Sequence, residues 1–343
     1  MIIAEGDKVL FSYAYGYRDA KRTQPVTLDT CFRVASVTKL VTAIGLMQLY
    51  EQGLFSLDAP LSDILPFPVV NPVYPDIPIT ARQVLSHTSS FKQMQRYFPN
   101  WEKLAVTKTN TFFEPKVKPG TKYIYSNMNG GLFGAMIESL SGQSVNAYMT
   151  ERIFSPLNIN AAYSITLLND RTDIADRLEK SGKLFRSVSQ EMREYADYED
   201  TCDPRAHTDR TVGGLYISVS GLSKLAQMLA CGGTVDNVTI LSHDTISLME
   251  QEQNTIGGSS VTGISPYGLG MMRVEGMTGG TWYGHQGRMN GLTSNLYYQA
   301  ETDLSVVVIA NGYNGMAIDG VVSIARIFME KAEELRTNSK GEN

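Results

Sequence analysis

The 343-residue sequence predicts an α+β fold: an antiparallel sheet flanked by helices, with an inserted, mainly helical domain. Three observations support this prediction. Strand patterns lie near the N-terminus and in the last quarter of the chain, helix patterns dominate between them, and one unusually apolar helix follows the first strands. We therefore expect a discontinuous sheet domain of residues 1–80 and 211–343 and a helical domain of residues 81–210, with a cleft between them.

The first strands and the helix after them give the clearest local patterns. Residues 2–17 alternate apolar with smaller or polar side chains around a turn at 5–7, which predicts a hairpin with one buried face. Residues 32–53 leave no wide polar face, so we expect a helix that is buried on most sides and ends at Gly53. The proline-rich stretch 54–78 predicts an irregular surface connection.

Capping residues and periodicity locate the remaining elements. Thr80 to Gln83 has the spacing of a capping box and predicts a short helix ending near His87. Further helices are predicted at 129–141, 144–153, 220–230 with Ser220 as cap, 242–252 with Ser242 as cap, and 318–335. Strands are predicted at 267–274, 281–285, 292–298 and 304–310, after a flexible loop at 257–260.

Residues 170–210 are strongly charged, and two interpretations of them stay open. The segment is either a solvated surface or a mobile cover for a site.

Composition limits the classes of partner. The chain is 43% apolar and 19% charged, as in ordinary globular proteins, and a net charge of −5 without a Lys/Arg cluster argues against nucleic acid. No apolar run approaches the roughly 20 residues of a membrane span. Cys31, Cys202 and Cys231 fit neither a disulfide framework nor a zinc spacing, and His207 and His243 have no ligand partners at a metal spacing, so we predict no metal and no cofactor.

The N-terminal residues lack the order of basic, apolar and cleavage-site regions that marks a signal peptide. We expect a cytoplasmic protein if Met1 is the native start, and an extracytoplasmic one if an export signal has been removed. The oligomeric state stays open.

Ser36 and Lys39 are the first residues that point to chemistry. They are three positions apart at the start of the buried helix, so their side chains face the same way, with Ser36 at the positive end of the helix dipole. A buried ammonium is costly unless it is paired or loses its proton. Ser89 and Lys92 have the same spacing but follow the end of a helix, in a polar loop. The alternative for Ser36 is a simple N-cap.

Two later motifs favour the catalytic interpretation. Residues 125–127 are the only Tyr-x-Asn of the chain and stand before a helix, where the alternative is a turn whose asparagine caps that helix. Residues 285–287 are the only His-x-Gly, at the end of a predicted strand, where the alternative is an ordinary strand-end histidine.

Together the three ordered motifs resemble those of the penicillin-recognising serine hydrolases, in the branch of class C β-lactamases, D-alanyl-D-alanine carboxypeptidases, D-aminopeptidases and related esterases. The resemblance covers nearly the whole chain, including TLDTCFRVASVTKL, ITARQVLSHTSS, KPGTKYIYSNMNGGLFG and GHQGRMNGLTSN through VVVIANG. It implies a β-lactamase/transpeptidase-like fold with the active site in the cleft between the two domains.

The resemblance also implies a role for each matched residue. Ser36 would be the nucleophile that forms an acyl-enzyme, and Lys39 and Tyr125 would share the removal of its proton. Free lysine and tyrosine titrate near 10.4 and 10, so burial and a neighbouring cation must lower both pKa values for work near pH 7. Close together, they form one coupled titration.

The second and third motifs would complete the site. Asn127 would hold Lys39 and contact the substrate, and His285 would orient Tyr125 or the substrate. Gly287 belongs to the third motif, and the backbone N–H groups of Ser36 and Arg288 would form the oxyanion hole. His87 and Thr88 lie in a stretch that we interpret as structural.

The sequence departs from the family pattern at three places. His285 stands where β-lactamase-like members carry lysine, which removes a permanent charge that Arg288 could replace. Ser90 stands in place of a glycine, so its loop is expected to differ in shape. The chain also starts within the first strand, whereas the family has a helix ahead of it.

The sequence therefore predicts a serine hydrolase that acts on a small ester, amide or peptide substrate. We favour an esterase or a D-amino-acid peptidase over a β-lactamase. Two alternatives stay open: a catalytically weak protein that binds peptidoglycan-like or acyl ligands, and an acyltransferase that uses the same acyl-enzyme.

Overall fold

The computed structural model describes residues 1–93, 112–206, 210–253, 267–277, 279–312, 317–318 and 321–341. Its strands are β1 (Ile2–Glu5), β2 (Lys8–Ser12), β3 (Cys31–Arg33), β4 (Ala161–Ala162), β5 (Arg177–Leu178), β6 (Leu184–Arg186), β7 (Tyr216–Ser218), β8 (Thr234–Val235), β9 (Val238–Thr239), β10 (Met272–Met277), β11 (Gly280–Met289), β12 (Leu292–Gln299), β13 (Leu304–Asn311), β14 (Ala317–Ile318) and β15 (Val321–Val322).

Its α-helices are α1 (Val37–Glu51), α2 (Leu61–Ile64), α3 (Ala81–Leu85), α4 (Asn127–Ser141), α5 (Val145–Met149), α6 (Val188–Glu194), α7 (Arg210–Gly213), α8 (Val219–Ala230), α9 (His243–Glu250) and α10 (Ser323–Gly341). A π-helical turn (Thr150–Phe154) continues α5, and Ile165–Leu167 form a short 3-10 helix. No helix of the described segments is long and apolar enough to cross a membrane.

Strands from both ends of the chain pair in one antiparallel sheet, with the order β10-β11-β12-β13-β1-β2. The N-terminal strand β1 lies beside β13, with Ile3 opposite Val306. This arrangement confirms the predicted α+β fold. Strand β11 extends beyond its neighbour β10, whose described pairing begins where Met272 lies opposite Gly284. Residues 285–289 of β11 therefore pair with β12 but not with β10.

Helix α1 is buried along nearly its whole length, as its apolar pattern predicts. It packs against α4 and β11, and the left-handed backbone at Gly53 (φ 71°) follows its end. The helix begins later than the apolar pattern, because residues 31–33 form β3, in which Phe32 lies opposite Ile217 of β7. The pairing of β3 with β7 leaves only a short turn before the first residue of α1.

Two apolar cores cover the two faces of the sheet. The larger one contains residues of α1, α4, α8 and β12, among them Val41, Leu132 and Leu296. The smaller one joins the other face to α10 through residues such as Trp282 and Met329. The larger core draws side chains from both of the proposed domains, and the division at residues 80 and 211 stays a prediction.

The predicted N-terminal hairpin forms from β1 and β2, but the prediction that one face of its second strand is buried is wrong. Strand β2 is the edge strand of the sheet, and the face of it that carries Val9 and Phe11 has no covering layer among the described residues. The side chains that alternate along it and beyond are 41% to 82% exposed: Val9, Phe11, Tyr13, Tyr15 and Tyr17.

Several predicted elements begin or end elsewhere. The cap of α8 is Ser218, whose hydroxyl accepts a hydrogen bond from the Gly221 N–H (3.0 Å), whereas the Ser220 hydroxyl donates to the Leu28 carbonyl (3.1 Å). The caps at Thr80 and Ser242 are confirmed. Strand β10 starts at Met272, five residues later than its pattern predicts. Helix α10 also starts five residues later than predicted, at Ser323. The loop predicted at 257–260 lies outside the described residues.

The described part of the charged segment 170–210 is anchored to the body of the protein. The buried carboxylate of Glu191 contacts the Arg177 guanidinium (2.8 Å) and the Tyr216 hydroxyl. The Arg210 guanidinium lies over the rings of Tyr195 (4.0 Å) and Tyr198 (4.4 Å). Of the two interpretations, these contacts favour a surface segment over a mobile cover for the described part.

Candidate active site

A sharp turn presents Ser36 at the start of α1. Ala35 has a left-handed backbone (φ 47°), which is costly for a residue with a Cβ and is a feature that recurs at functional sites. The Ser36 side chain makes no capping hydrogen bond. The alternative that Ser36 is only an N-cap is therefore not supported, and its hydroxyl is available to the cavity that it lines.

Lys39 lies one turn further along α1 and is completely buried. Its Nζ is 3.1 Å from Ser36 Oγ and donates a hydrogen bond to the Val212 carbonyl (2.8 Å). Burial lowers the pKa of Lys39 to about 7, because the charged form loses its hydration. Near neutral pH a large fraction of this amine is therefore uncharged and able to take the Ser36 proton.

Gly130 of α4 makes room for the Lys39 side chain. A Cβ at this position would lie 2.7 Å from Lys39 Cε. The close packing of α4 on α1 brings the second motif to the first, with Lys39 Nζ 5.3 Å from the centre of the Tyr125 ring.

Tyr125 and Asn127 flank the residue that caps α4. The Ser126 hydroxyl accepts a hydrogen bond from the Met128 N–H (3.3 Å), so the alternative that Asn127 caps this helix is wrong. Tyr125 and Asn127 both line the cavity. Within the described residues, the Lys39 ammonium bonds to Ser36 and Val212, and a bond from Asn127 to Lys39 stays a prediction.

His285 lies in the part of β11 that extends beyond β10, and it is buried. Its Nδ1 donates to the Gln286 carbonyl (2.7 Å), which leaves Nε2 as the acceptor of the neutral ring. Nε2 has no hydrogen-bond partner in the described structure. Burial and the nearby Lys39 lower the pKa of His285 to about 3, so this histidine is neutral at pH 7.

Gly287 allows β11 to lie directly against the Ser36 turn. A Cβ on Gly287 would lie 2.3 Å from the Val34 carbonyl oxygen, 2.4 Å from Ser294 Oγ and 3.0 Å from the Ser36 nitrogen. The backbone of β11 thus approaches the Ser36 N–H closely, and Arg288, the next residue, also lines the cavity. This proximity is compatible with an oxyanion hole made by the N–H groups of Ser36 and Arg288, which stays a prediction.

Gly287→Ala is expected to lower the free energy of unfolding by about 1–3 kcal/mol, because the new methyl group must displace backbone atoms. Urea denaturation would measure the change. Gly213→Ala is the matched control, since a Cβ there meets its nearest atom, Ala35 Cα, at 3.4 Å, an ordinary contact. Equal stability of the two variants would contradict the close approach of β11.

The cavity has a volume of about 210 Å³. Five of the predicted residues line it: Ser36, Tyr125, Asn127, His285 and Arg288. Tyr123, Tyr267 and Met272 add an apolar wall. Arg288 is the charged member of this lining, and in the described segments no group of three or more His, Cys, Asp or Glu side chains is placed to hold a metal ion.

Sequence reasoning missed the part that His87 plays at the site. Its ring lies 4.4 Å from that of Tyr125 and 5.0 Å from that of Tyr267, between centres. The available signal for His87 was its place in a matched stretch of the resemblance, HTSS. Tyr123 and Tyr267 carry no sequence signal, because the fold alone brings them to the cavity.

Ser90, which replaces the glycine of the family pattern, keeps a backbone that suits glycine. Its φ is 67°, in the left-handed region. The buried Asn71 side chain donates a hydrogen bond to the Ser90 hydroxyl (3.0 Å), which helps to hold this conformation.

A protein-family model described as Beta-lactamase matches residues 1–325. This chain belongs to the β-lactamase family. Membership agrees with the three motifs and with the predicted resemblance to penicillin-recognising serine hydrolases, and it confirms the β-lactamase/transpeptidase-like fold.

Two curated proteins have sequences similar to part of this chain. A stretch of 184 residues, 50% of this β-lactamase-family chain, is 28% identical to penicillin-binding protein 4* of Bacillus subtilis (strain 168), and covers 40% of that protein. Protein flp of Staphylococcus aureus (strain COL) is 28% identical over 164 residues, 46% of this chain and 33% of its own. The matches thus span less than half of the length of these curated relatives.

Two solved structures show the same fold. The octameric penicillin-binding protein homologue from Pyrococcus abyssi has a TM-score of 0.75 and 24% identity, covering 97% of this chain and 72% of the other. The D-amino acid amidase from Ochrobactrum anthropi SV3, complexed with D-phenylalanine, has a TM-score of 0.69 and 20% identity, covering 98% and 93%.

Proposed function

We propose that this chain is a serine hydrolase that forms an acyl-enzyme at Ser36 with a small ester or amide. The observation that carries the proposal is the buried Lys39 amine, which lies 3.1 Å from Ser36 Oγ and has a pKa lowered to about 7. Lys39 has no carboxylate partner among the described residues and is packed beside a serine at a strained turn. Such a lysine suits a general base better than a structural cation. Membership of the β-lactamase family supports serine hydrolase chemistry in general.

In the proposed reaction, the Ser36 hydroxyl proton moves to the uncharged Lys39 amine while Oγ bonds to the substrate carbonyl carbon. Tyr125, which packs beside Lys39, shares the proton and passes it to the leaving alcohol or amine. The N–H groups of Ser36 and Arg288 stabilise the negative oxygen of the tetrahedral intermediate. Water then attacks the carbonyl carbon of the acyl-enzyme and gives up a proton, which passes through Lys39 to Ser36 Oγ as the acid leaves.

The size and charge of the cavity support a small substrate that carries little charge near the bond that is cleaved. Its volume of about 210 Å³ suits a short acyl chain or a single side chain, and tyrosines form much of the wall. Neutral His285 supplies no positive charge for a penicillin carboxylate, and Arg288 is the charged residue of the described cavity lining. These features favour an esterase or a D-amino-acid amidase or peptidase over a β-lactamase.

The D-amino acid amidase of similar fold was solved in complex with D-phenylalanine. This complex supports an amide substrate with a single side chain of about the size of phenylalanine. A panel of short-chain nitrophenyl esters, D-alanyl and D-phenylalanyl anilides and a chromogenic cephalosporin would rank the substrate classes. Product analysis with competing alcohols present would separate hydrolysis from acyl transfer.

A covalent adduct at Ser36 is the expected result of exposing the folded protein to a fluorophosphonate. Intact-mass spectrometry would detect one added phosphonyl group, and peptide mapping would locate it. Protein unfolded in urea is the control, because the lysine loses its depressed pKa when burial is lost. A folded protein that stays unlabelled would contradict the proposal and support the alternative of a binding protein.

A further inference from the structure

We propose that His87 is a positioning residue that holds the Tyr125-Ser126-Asn127 segment against Lys39 as a neutral ring with its proton on Nε2. This inference rests on the proposed function of the site, and it adds to that site a residue outside the cavity lining. His87 does not line the cavity, and it is completely buried. It acts through the residues that it fixes.

The His87 ring bonds directly to the catalytic segment. The Ser126 backbone N–H donates to His87 Nδ1 (3.2 Å), at the residue between Tyr125 and Asn127. The His87 carbonyl accepts a second bond from the Ile124 N–H (2.8 Å). One residue therefore holds the backbone of the segment on both sides of Tyr125.

A buried chain of hydrogen bonds determines which nitrogen carries the proton. The Ser89 hydroxyl donates to Asn129 Oδ1 (2.6 Å), so the Asn129 amide directs its N–H groups the other way, to His87 Nδ1 (2.9 Å). Nδ1 thus receives two donors, from Ser126 and from Asn129, and cannot carry a proton itself. The ring is neutral with its proton on Nε2.

The surroundings oppose a charged form of this ring. Burial lowers the pKa of His87 well below its usual value, and Lys39 and His285 lower it further. A proton on Nδ1 would break both bonds and point an N–H at two other donors. The position therefore requires an acceptor, which a space-filling side chain does not supply.

The ring also limits the movement of the Tyr125 side chain. The centres of the two rings are 4.4 Å apart with an angle of 37°, while Lys39 Nζ lies on the Tyr125 ring at 5.3 Å. Tyr125 is thus held between His87 and Lys39. A shift of about 1 Å at a catalytic group can cost on the order of 100-fold in rate, so this contact matters for proton transfer.

Two substitutions separate the acceptor from the backbone requirement. His87 has a left-handed backbone (φ 58°), which asparagine and glycine both adopt readily. His87→Asn places an amide oxygen near the position of Nδ1, whereas His87→Gly has no acceptor. Both remove the ring, so the pair isolates the hydrogen bonds to Ser126 and Asn129.

We expect His87→Gly to slow labelling of Ser36 by a fluorophosphonate by about 100-fold, and His87→Asn to slow it by about 10-fold or less. Thermal melting of both variants would measure the stability. Equal slowing by the two variants, or slowing that merely follows the unfolded fraction, would overturn the positioning role.

Two measurements test the inference without an assay of labelling or turnover. Nitrogen-15 NMR of the imidazoles should show His87 with a bare Nδ1 and a protonated Nε2, and a proton on Nδ1 would overturn the assignment. The Ser126 amide should exchange with solvent faster in His87→Gly than in His87→Asn, and equal exchange would count against the proposal. If the wild type is never labelled at Ser36, the proposed function fails, while these two measurements still decide whether His87 holds the segment.

Discussion

Ser36→Ala is expected to abolish the covalent adduct and to lower kcat for any ester that the wild type hydrolyses by on the order of 10⁶-fold, the scale seen when a serine hydrolase loses its nucleophile. The reason is chemical, because alanine keeps the turn and removes only the oxygen that bonds to the carbonyl carbon. The strained residue of the turn is Ala35, which the substitution leaves in place. Melting temperature should therefore change little.

The control for this prediction is Ser189→Ala, which removes an exposed hydroxyl at the surface helix α6. This variant should keep both the label and the turnover of the wild type. Turnover that survives in Ser36→Ala at more than about one part in a thousand would show that another nucleophile does the work, and the proposed mechanism would be wrong.

The first motif can be predicted from sequence because its geometry is local. Ser36 and Lys39 lie within one turn, so a helix that begins at residue 37 places both side chains on the same side. Ser89 and Lys92 have the same spacing but do not form a similar pair. The Ser89 side chain is buried and donates a hydrogen bond to Asn129, which the spacing of the two residues alone does not predict.

The rest of the site depends on contacts between distant parts of the chain. Tyr125 and His285 meet Lys39 only after α4 and β11 have packed on α1, so their roles come from the resemblance and not from any local pattern. His87 is the clearest example. Its sequence position indicates a loop residue, but its function depends on the acceptor that it offers to Ser126, 39 positions away.

The error at the N-terminal hairpin has a similar origin. Alternation of apolar and polar residues predicts that one face of a strand differs from the other, but not that any other element covers it. Phe11 of the edge strand β2 and Tyr13 just beyond its end alternate as buried residues would, yet both stay exposed. Burial is decided by the layer above the strand, which the alternation does not encode.

Lys39→Met is expected to lower the rate of Ser36 labelling by about 10²- to 10⁴-fold, the range of a lost general base. Methionine has a similar length and no charge, so it fits beside Gly130 without a new polar group in the core. In the wild type, the labelling rate should rise with pH and level off above about 7, because only the uncharged amine accepts the proton. The variant should lack this rise.

Lys39→Arg is the matched control for charge. Its guanidinium stays protonated, because the pKa of arginine lies above about 12, so the variant keeps a cation but cannot act as a base. We expect it to be as slow as Lys39→Met. An arginine variant with near wild-type labelling would show that the site needs the positive charge itself, and would contradict the role of Lys39 as a base.

The stability of Lys39→Met should change in the opposite direction from its activity. The folded protein binds the Lys39 proton only below a pH of about 7, whereas the unfolded chain binds it up to its ordinary pKa of about 10.4. Stability from this group therefore rises with pH between these two values, and at pH 7 the wild type still bears most of the cost of the buried amine. Urea denaturation should find Lys39→Met at least as stable as the wild type at pH 7, with the difference shrinking or reversing toward pH 10. A methionine variant that is less stable than the wild type at pH 7 would mean that the bonds of Lys39 to Ser36 and Val212 outweigh its desolvation, and that the amine is a structural cation.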